Sequence, residues 1–336
     1  AGSAAYTTVA IGGGTKIMGL FNLLKSSGAK YLLASEGGSF YEDSLVTPGD
    51  FSTSRGSGYN ANKFWSGAEY SDKLFLANGY DAPLVYAGGA AVTPLADEAG
   101  ASLPGAWVGI NQPAGFAVTT YGRAERMAAW GIASEPSRVW FSAVQNPLDW
   151  SDVTGAAGGY NILVLKDNGE AVKAVVPFYD FTLAFKETEV GVYAGYTAED
   201  TTLQKVFPLG TVAPRSVVQV GRDIYWWSHL GPVSMSGTNE YGDLDMARIS
   251  TKIESEVRRV NRRLEHQIVA LHDKDNSRVI WFYPPTGSTV NSAALVFHYD
   301  IGAWSRYEGL QAHSALAVVN TAGGNDLYLG RNDGHL

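Results

Sequence analysis

Along nearly the whole chain, short apolar runs come in pairs, each pair folded around a polar or glycine-bearing turn. Lys30–Tyr41 reads KYLLASEGGSFY with Gly37-Gly38 as its turn, and Lys73–Tyr86 reads KLFLANGYDAPLVY, turning through Asn78-Gly79. Arg126–Phe141 turns at Ser134–Ser137, Val172–Tyr193 near Tyr179-Asp180, and Ser216–Met235 at Gly221-Arg222-Asp223 and again at Gly231. Ile268–Tyr283 turns at Asp273–Ser277, and Ala315–Leu329 at Ala322–Asp326. Val, Leu, Ile and aromatic residues fill the runs while Gly, Asn, Asp and Pro bound them, which specifies antiparallel strands joined by tight turns. The pairs recur at roughly 30–65 residues, bracketing the ~40–50 of one propeller blade. A sheet this small cannot bury both faces alone, but sheets stacked radially around an axis can. A sandwich calls for more even alternation and shorter connections. The expected fold is therefore all-β, a propeller of six or seven blades, with residues 1–336 as a single domain.

Composition agrees with many strands and many turns. Hydrophobic residues make up 45% of the 336, charged residues only 17%, and 39 glycines and 13 prolines punctuate the runs. There are no cysteines, so disulfides, thiolate metal sites and cysteine catalysis are excluded. The net charge of −8 argues against a surface that grips nucleic acid, since that needs clustered cations, and leaves room for one that DNA merely slides past. No apolar run approaches the ~18 residues needed to span a bilayer. The chain starts Ala1-Gly2-Ser3 without an initiator Met and ends in a turn, Gly330–Leu336, so a piece of a longer chain is one expectation.

One stretch breaks the strand pattern. Thr251–His266 (TKIESEVRRVNRRLEH) opens with a capping box, Thr251 and Glu254, and continues with Ile253, Val257, Val260 and Leu264 on one helical stripe. An amphipathic helix over Thr251–His266 is expected, within an inserted segment spanning 243–266. Arg258, Arg259, Arg262 and Arg263 lie off that stripe. From Arg248 to Arg263 six basic residues face two acidic ones, a local net of +4 on an acidic chain. Arginine is favoured at interfaces for its planar, multi-donor head, so these four are the candidate subunit-interface residues. Two further segments, 47–66 and 88–115, read as long exposed loops of the kind that become contact surfaces.

Nothing in the sequence spells catalysis or metal binding. The six histidines show neither HExxH nor i,i+4 spacing, so no sequence-local zinc site is expected. His298 reads as a half-buried structural histidine in a strand. His272–Ser277 has an acidic pair but lacks the glycine and terminal glutamate of a calcium loop. Gly12-Gly13-Gly14-Thr15-Lys16 lacks Walker spacing, and there is no G-x-S-x-G elbow. Tyr299–Trp304 echoes a sialidase Asp-box once, without its leading Ser/Thr, and reads better as strand–turn–strand with Trp304 packed between blades. No cofactor and no enzymatic activity are expected.

Four segments in order resemble the propeller proteins of phage tails: Pro136–Trp150 (PSRVWFSAVQNPLDW), Val212–Ser228 (VAPRSVVQVGRDIYWWS), Ser236–Asp243 (SGTNEYGD) and Gly302–Ser305 (GAWS). The chain is similar in this to the tail hub or nozzle proteins of short-tailed phages. The resemblance implies a structural role in the virion tail. Copies of the chain would form a ring below the portal and adaptor, beside tail proteins such as the tail fibre, and DNA would pass on ejection without specific binding. The alternatives are a propeller glycosidase or sialidase, marked by acids clustered at the central funnel, and a glycan-binding module, suggested by 9 Trp and 18 Tyr.

Overall fold

Short strands bounded by left-handed glycine turns build a β-propeller. At Gly37 and Gly38 both φ values are positive, 55° and 79°, the backbone of a two-residue hairpin turn that favours glycine at both positions. The computed structural model describes residues 4–119, 124–152, 157–165, 168–237, 244–320 and 323–336. Residues 238–243 of the Ser236–Asp243 segment, the first residue of the 243–266 insertion, and Ala322 of the last turn lie outside the described residues.

Six sheets are four-stranded antiparallel meanders. The first blade is β1 (Ile17–Leu24), β2 (Lys30–Glu36), β3 (Ser39–Glu42) and β4 (Thr53–Ser57), and the second is β5 (Ser66–Tyr70), β6 (Lys73–Ala77), β7 (Leu84–Tyr86) and β8 (Thr93–Pro94). The third is β9 (Gly115–Thr119), β10 (Arg126–Trp130), β11 (Arg138–Phe141) and β12 (Tyr160–Leu163). β13 (Ala174–Phe178), β14 (Phe181–Phe185), β15 (Glu189–Ala194) and β16 (Thr202–Pro208) form the fourth. β17 (Val218–Val220), β18 (Asp223–Ser228), β19 (Gly231–Gly237) and β20 (Leu244–Ala247) form the fifth. The sixth is β21 (Val269–Asp273), β22 (Arg278–Tyr283), β23 (Ala293–His298) and β24 (Ala303–Glu308). A two-stranded sheet, β25 (Ser314–Val319) and β26 (Asn325–Gly330), fills the remaining sector, with β25 packed beside both β21 and β1. The expected six or seven blades are thus six complete blades and a two-stranded sheet that closes the circle.

The core is divided among the clefts between neighbouring sheets. Phe21, Leu33, Trp65 and Leu76 lie between the first and second, Phe75, Trp107, Phe116 and Trp150 between the second and third. Trp226 fills the cleft between the fourth and fifth, and Trp227, Trp281 and Tyr283 that between the fifth and sixth. Middle strands are covered on both faces: all five residues of β10, Arg126 among them, are buried. Outer strands face water, and β16 exposes six of its seven residues.

Sequence expectations need three corrections. Segments 47–66 and 88–115 run over the surface but are not simple loops, because they contain the outer strands β4 and β8, and Leu95 and Trp107 are buried. Leu244–Ala247 of the insertion is the outer strand of the fifth blade. The helix expected over Thr251–His266 is broken into a 3-10 turn (Ile249–Ile253), one α-helical turn α1 (Glu254–Val257) and a second 3-10 stretch (Arg262–Gln267).

The cause of the break is backbone pairing. Asn261 N–H donates to the Pro284 carbonyl, Thr286 N–H donates to the Arg259 carbonyl, and Val260 bridges Pro285, so the helix stops at residues 259–261 where the chain pairs with the segment after β22. Nor does the capping box form, since the Thr251 hydroxyl donates to the Arg248 carbonyl instead. The apolar stripe nonetheless does its work, with Val257 and Val260 buried between the fifth and sixth blades.

Candidate functional site

All seven innermost strands run the same way, so every connection between sheets arrives on one face of the ring. Two features stand on that face: the broken helical connector between the fifth and sixth blades, and the mouth of the central axis.

The connector presents the four arginines to solvent. Arg258 is 75% exposed and pairs with Glu254 at 2.9 Å; Arg259 pairs with Glu256 at 3.5 Å. Arg262 reaches Glu265 at 2.6 Å and donates to the His229 carbonyl at 2.7 Å. Glu256 is shared with Arg306 of β24 at 3.1 Å. Glu254 and Glu256 are already counted in the +4 of the sequence; the fold adds Glu265 beside Arg262 and Arg306 beside Glu256, so the face keeps its net positive charge. Exposed pairs of this kind are screened by water and add little to stability.

At the axis, residues from four different connections converge. Arg215, in the turn Pro214–Ser216 before β17, lays its guanidinium 3.4 Å from the ring centre of Phe64, which arrives on the connection to the second blade. Arg215 donates to the carbonyls of His313 and, at 2.9 Å, of Gln267. His313 is fully buried, its ring nearly parallel to that of Phe64 at 6.4 Å. Burial and the nearby cations Lys16 and Arg215 pull the His313 imidazole down to about 4, which keeps it neutral at pH 7. Asn291 Nδ2 joins the carbonyls of Gln267 and Ala312, fixing the last connection to the sixth blade.

Sequence reasoning passed over this mouth. Arg215 was visible only as one residue of VAPRSVV, and Phe64 and His313 carry no local signal, since they meet through the ring's closure and lie 98 or more residues from Arg215 along the chain. Other sequence-marked residues have structural duties. The glycine-rich loop wraps the carboxylate of Glu36, with Gly13 N–H, Thr15 N–H and the Thr15 hydroxyl all donating to it. A Cβ on Gly12 would lie 2.3 Å from that carboxylate, so its own side chain fills the place a phosphate would need. Asp273 pairs with Arg278 at 2.6 Å and accepts from Asn276, as a hairpin turn requires. His298 is half-buried beside the Ser305 hydroxyl. Trp304 stacks on Trp281 against the core between the fifth and sixth blades. Trp150, at the end of the Pro136–Trp150 segment, is fully buried between the second and third blades. Among the described residues no three His, Asp or Glu side chains gather as metal ligands would, and no helix is long and apolar enough to cross a membrane.

No family model matches the sequence, and no curated protein matches it. Among solved structures, the chain is similar to the β-propeller domain of Cps50 (Swd1) from Myceliophteria thermophila, with a TM-score of 0.56 and 11% identity over 96% of this chain and 99% of that one. BamB from Moraxella catarrhalis aligns with a TM-score of 0.47 and 9% identity over 95% of this chain and 81% of that one. At such identities the first likeness is one of fold alone.

Proposed function

We propose that this propeller is a structural subunit of a phage tail, a hub or nozzle that assembles into a ring below the portal and adaptor, and that it is not an enzyme. The observation that carries the reading is the ordered set of segments Pro136–Trp150, Val212–Ser228, Ser236–Asp243 and Gly302–Ser305, which resembles that family. The surface is compatible with assembly. The connector offers exposed arginines, and the excursions on the first two blades expose apolar residues, Leu45 and Val46 (92% exposed) on one and Val108 and Ile110 on the other.

The fold also limits where DNA could pass. The cavity on the propeller's own axis is about 270 Å³ and is lined by side chains of β1, β5, β21 and β25. A duplex whose major groove alone is about 12 Å wide does not fit there. In this reading the conduit is the space enclosed by several copies, and the net charge of −8 keeps DNA from adhering to its wall.

The test is electron microscopy and mass spectrometry of purified virions carrying the protein. Both should find it in a closed ring on the tail axis; its absence from virions overturns the proposal. Replacing Arg258, Arg259 and Arg263 by Glu, while leaving Arg262 to hold the His229 carbonyl, should impair ring assembly and leave the monomer folded.

A further inference from the structure

The two faces of the ring differ in charge. Each blade is a meander whose innermost strand starts on the connection face, so the turns after its first and third strands open on the opposite face. Among the described residues those turns carry eleven Asp and Glu against three Lys and Arg, and of the eleven only Asp43 is buried. The connector stands on the other face, with six basic and three acidic residues from Arg248 to Glu265. Its Arg258, Arg259 and Arg263 are exposed, and Arg263 has no ion pair among the described residues.

The acidic face also has a seat for such a surface. A cleft of about 750 Å³ opens there among the first three blades, lined by Glu69, Asp72 and Glu125. None of the three is in an ion pair among the described residues. Glu69 accepts a long bond, 3.4 Å, from Leu24 N–H, and Asp72 accepts from the N–H and hydroxyl of Ser26. Lys25, the cation whose field reaches Asp72, gives its amine to the Ala87 carbonyl. Ser71, Tyr70 and Gln145 add polar groups to the walls, beside apolar Leu24 and Val118. A concave site of this kind suits guanidinium heads, whose planar forks match carboxylates.

We propose that the chain associates with a second copy of itself through these two surfaces, the arginine connector of one copy seated on the cleft of Glu69, Asp72 and Glu125 of the next. The occupant is a copy of the chain rather than nucleic acid, because an acidic cleft repels phosphate. The surfaces are different, so the contact is heterologous: it leaves a connector free on one copy and a cleft free on the other, and repeats until a ring closes. It supplies the subunit contact of the ring proposed above, and rests on that reading only for its place in a virion.

Sedimentation velocity of the purified chain reads the contact directly. The native protein should self-associate at low salt, and about 0.5 M sodium chloride should weaken the association at least about tenfold by screening. E69K/E125K and R258E/R259E/R263E should each weaken it at least about tenfold at low salt, as juxtaposed like charges do. Mixed in equal amounts, with both folded by circular dichroism, the two variants should associate again, since each offers the charge the other lacks. E69Q/E125Q removes the cleft's charge without reversing it and carries the test if E69K/E125K does not fold. A native chain that stays monomeric at low salt overturns the proposal, as does a cleft variant that associates like the native chain or a folded mixture that stays monomeric. Absence of the protein from virions would instead overturn the tail assignment and leave this contact standing.

Discussion

The sixth blade and the two-stranded sheet beside it follow the same strand-and-turn pattern but are held by different means. In the sixth blade β22 is sandwiched: Val279 through Tyr283 are buried, and Trp281 stacks near Trp304 and Tyr225. In the seventh sector only Ser314 and Gly330, the paired top residues of the two strands, are buried. The clefts on either side of β25 and β26 are filled mainly by Ile, Leu, Val and Ala, with Phe282 and Phe51 buried and Tyr6, Tyr41, Tyr307 and Tyr328 only partly so. An isolated two-stranded hairpin is marginal in water. This one is kept by its neighbours and by the chain ends, through Tyr6 N–H to the Leu336 carbonyl, Ile11 N–H to the Gly334 carbonyl and Ile17 N–H to the Arg331 carbonyl. A third and fourth strand therefore do more than extend a blade, because they are what allows its middle strand to bury aromatics.

The sharpest way to break the comparison is to truncate one side chain in each region. Trp281→Ala should cost about 3–5 kcal/mol, as for other buried large-to-small changes. Leu327→Ala, on a half-exposed strand, should cost about 1 kcal/mol. Urea denaturation of the two variants measures both, and equal losses would show that the seventh sheet is as tightly integrated as a full blade.

Hydrogen exchange sharpens the same contrast without mutation. Amides of β22 bond on both sides, to β21 and β23, and should exchange only on global unfolding. β26 pairs with β25 alone among the described residues, so the amides on its other edge should exchange sooner by local opening. Slow exchange along the whole of β26 would mean that the edge is covered in solution.

The ring was legible from sequence wherever a turn and two apolar runs lay close together, as at Gly37-Gly38 or Asn78-Gly79. Outer strands were harder. Residues of β4 (TSRGS) and β16 (TLQKVFP) face water and carry polar side chains, so their apolar periodicity fades. The Thr251–His266 helix misled because its stripe is real, but what draws Val260 out of the helix is pairing with Pro284–Thr286, about 24 residues away along the chain, which no local pattern encodes. The axial mouth was illegible for the same reason. Arg215, Phe64 and His313 become neighbours only once the circle has closed.

The chain ends supply a smaller test. Thr7 is buried; its hydroxyl accepts from Leu336 N–H at 3.1 Å and lies 3.3 Å from the His335 ring. Thr7→Val keeps the shape and removes these contacts, so it should cost about 1 kcal/mol. In the comparison drawn above, that loss should appear as faster exchange in β25 and β26 while β22 keeps its protection. Uniform loss across both would instead make the closure of the ends a support of the whole ring.

The least of these effects is a difference in sign between two adjacent carboxylates. Glu42, in a complete blade, takes Arg55 at 2.8 Å together with the Tyr86 hydroxyl and Gly89 N–H across the cleft to the second blade. Although burial opposes it, these bonds hold its carboxyl below the ordinary value. Asp43 next to it faces the chain-end hook and accepts from the Tyr6 hydroxyl at 2.5 Å and Gly49 N–H at 2.7 Å, and burial prevails there, raising its carboxyl. A lowered folded value means that the stability Glu42 contributes is present above its unfolded pKa and is lost as pH falls through the folded one. For Asp43 the sign is reversed: the folded state takes up its proton first, so falling pH favours folding through that group. Glu42→Gln should therefore flatten the acid limb of the stability curve, whereas Asp43→Asn should steepen it. Urea midpoints at a series of pH values read both, and changes of the same sign in the two variants would mean that the hook is bound to the seventh sector in the same way as one complete blade is to the next.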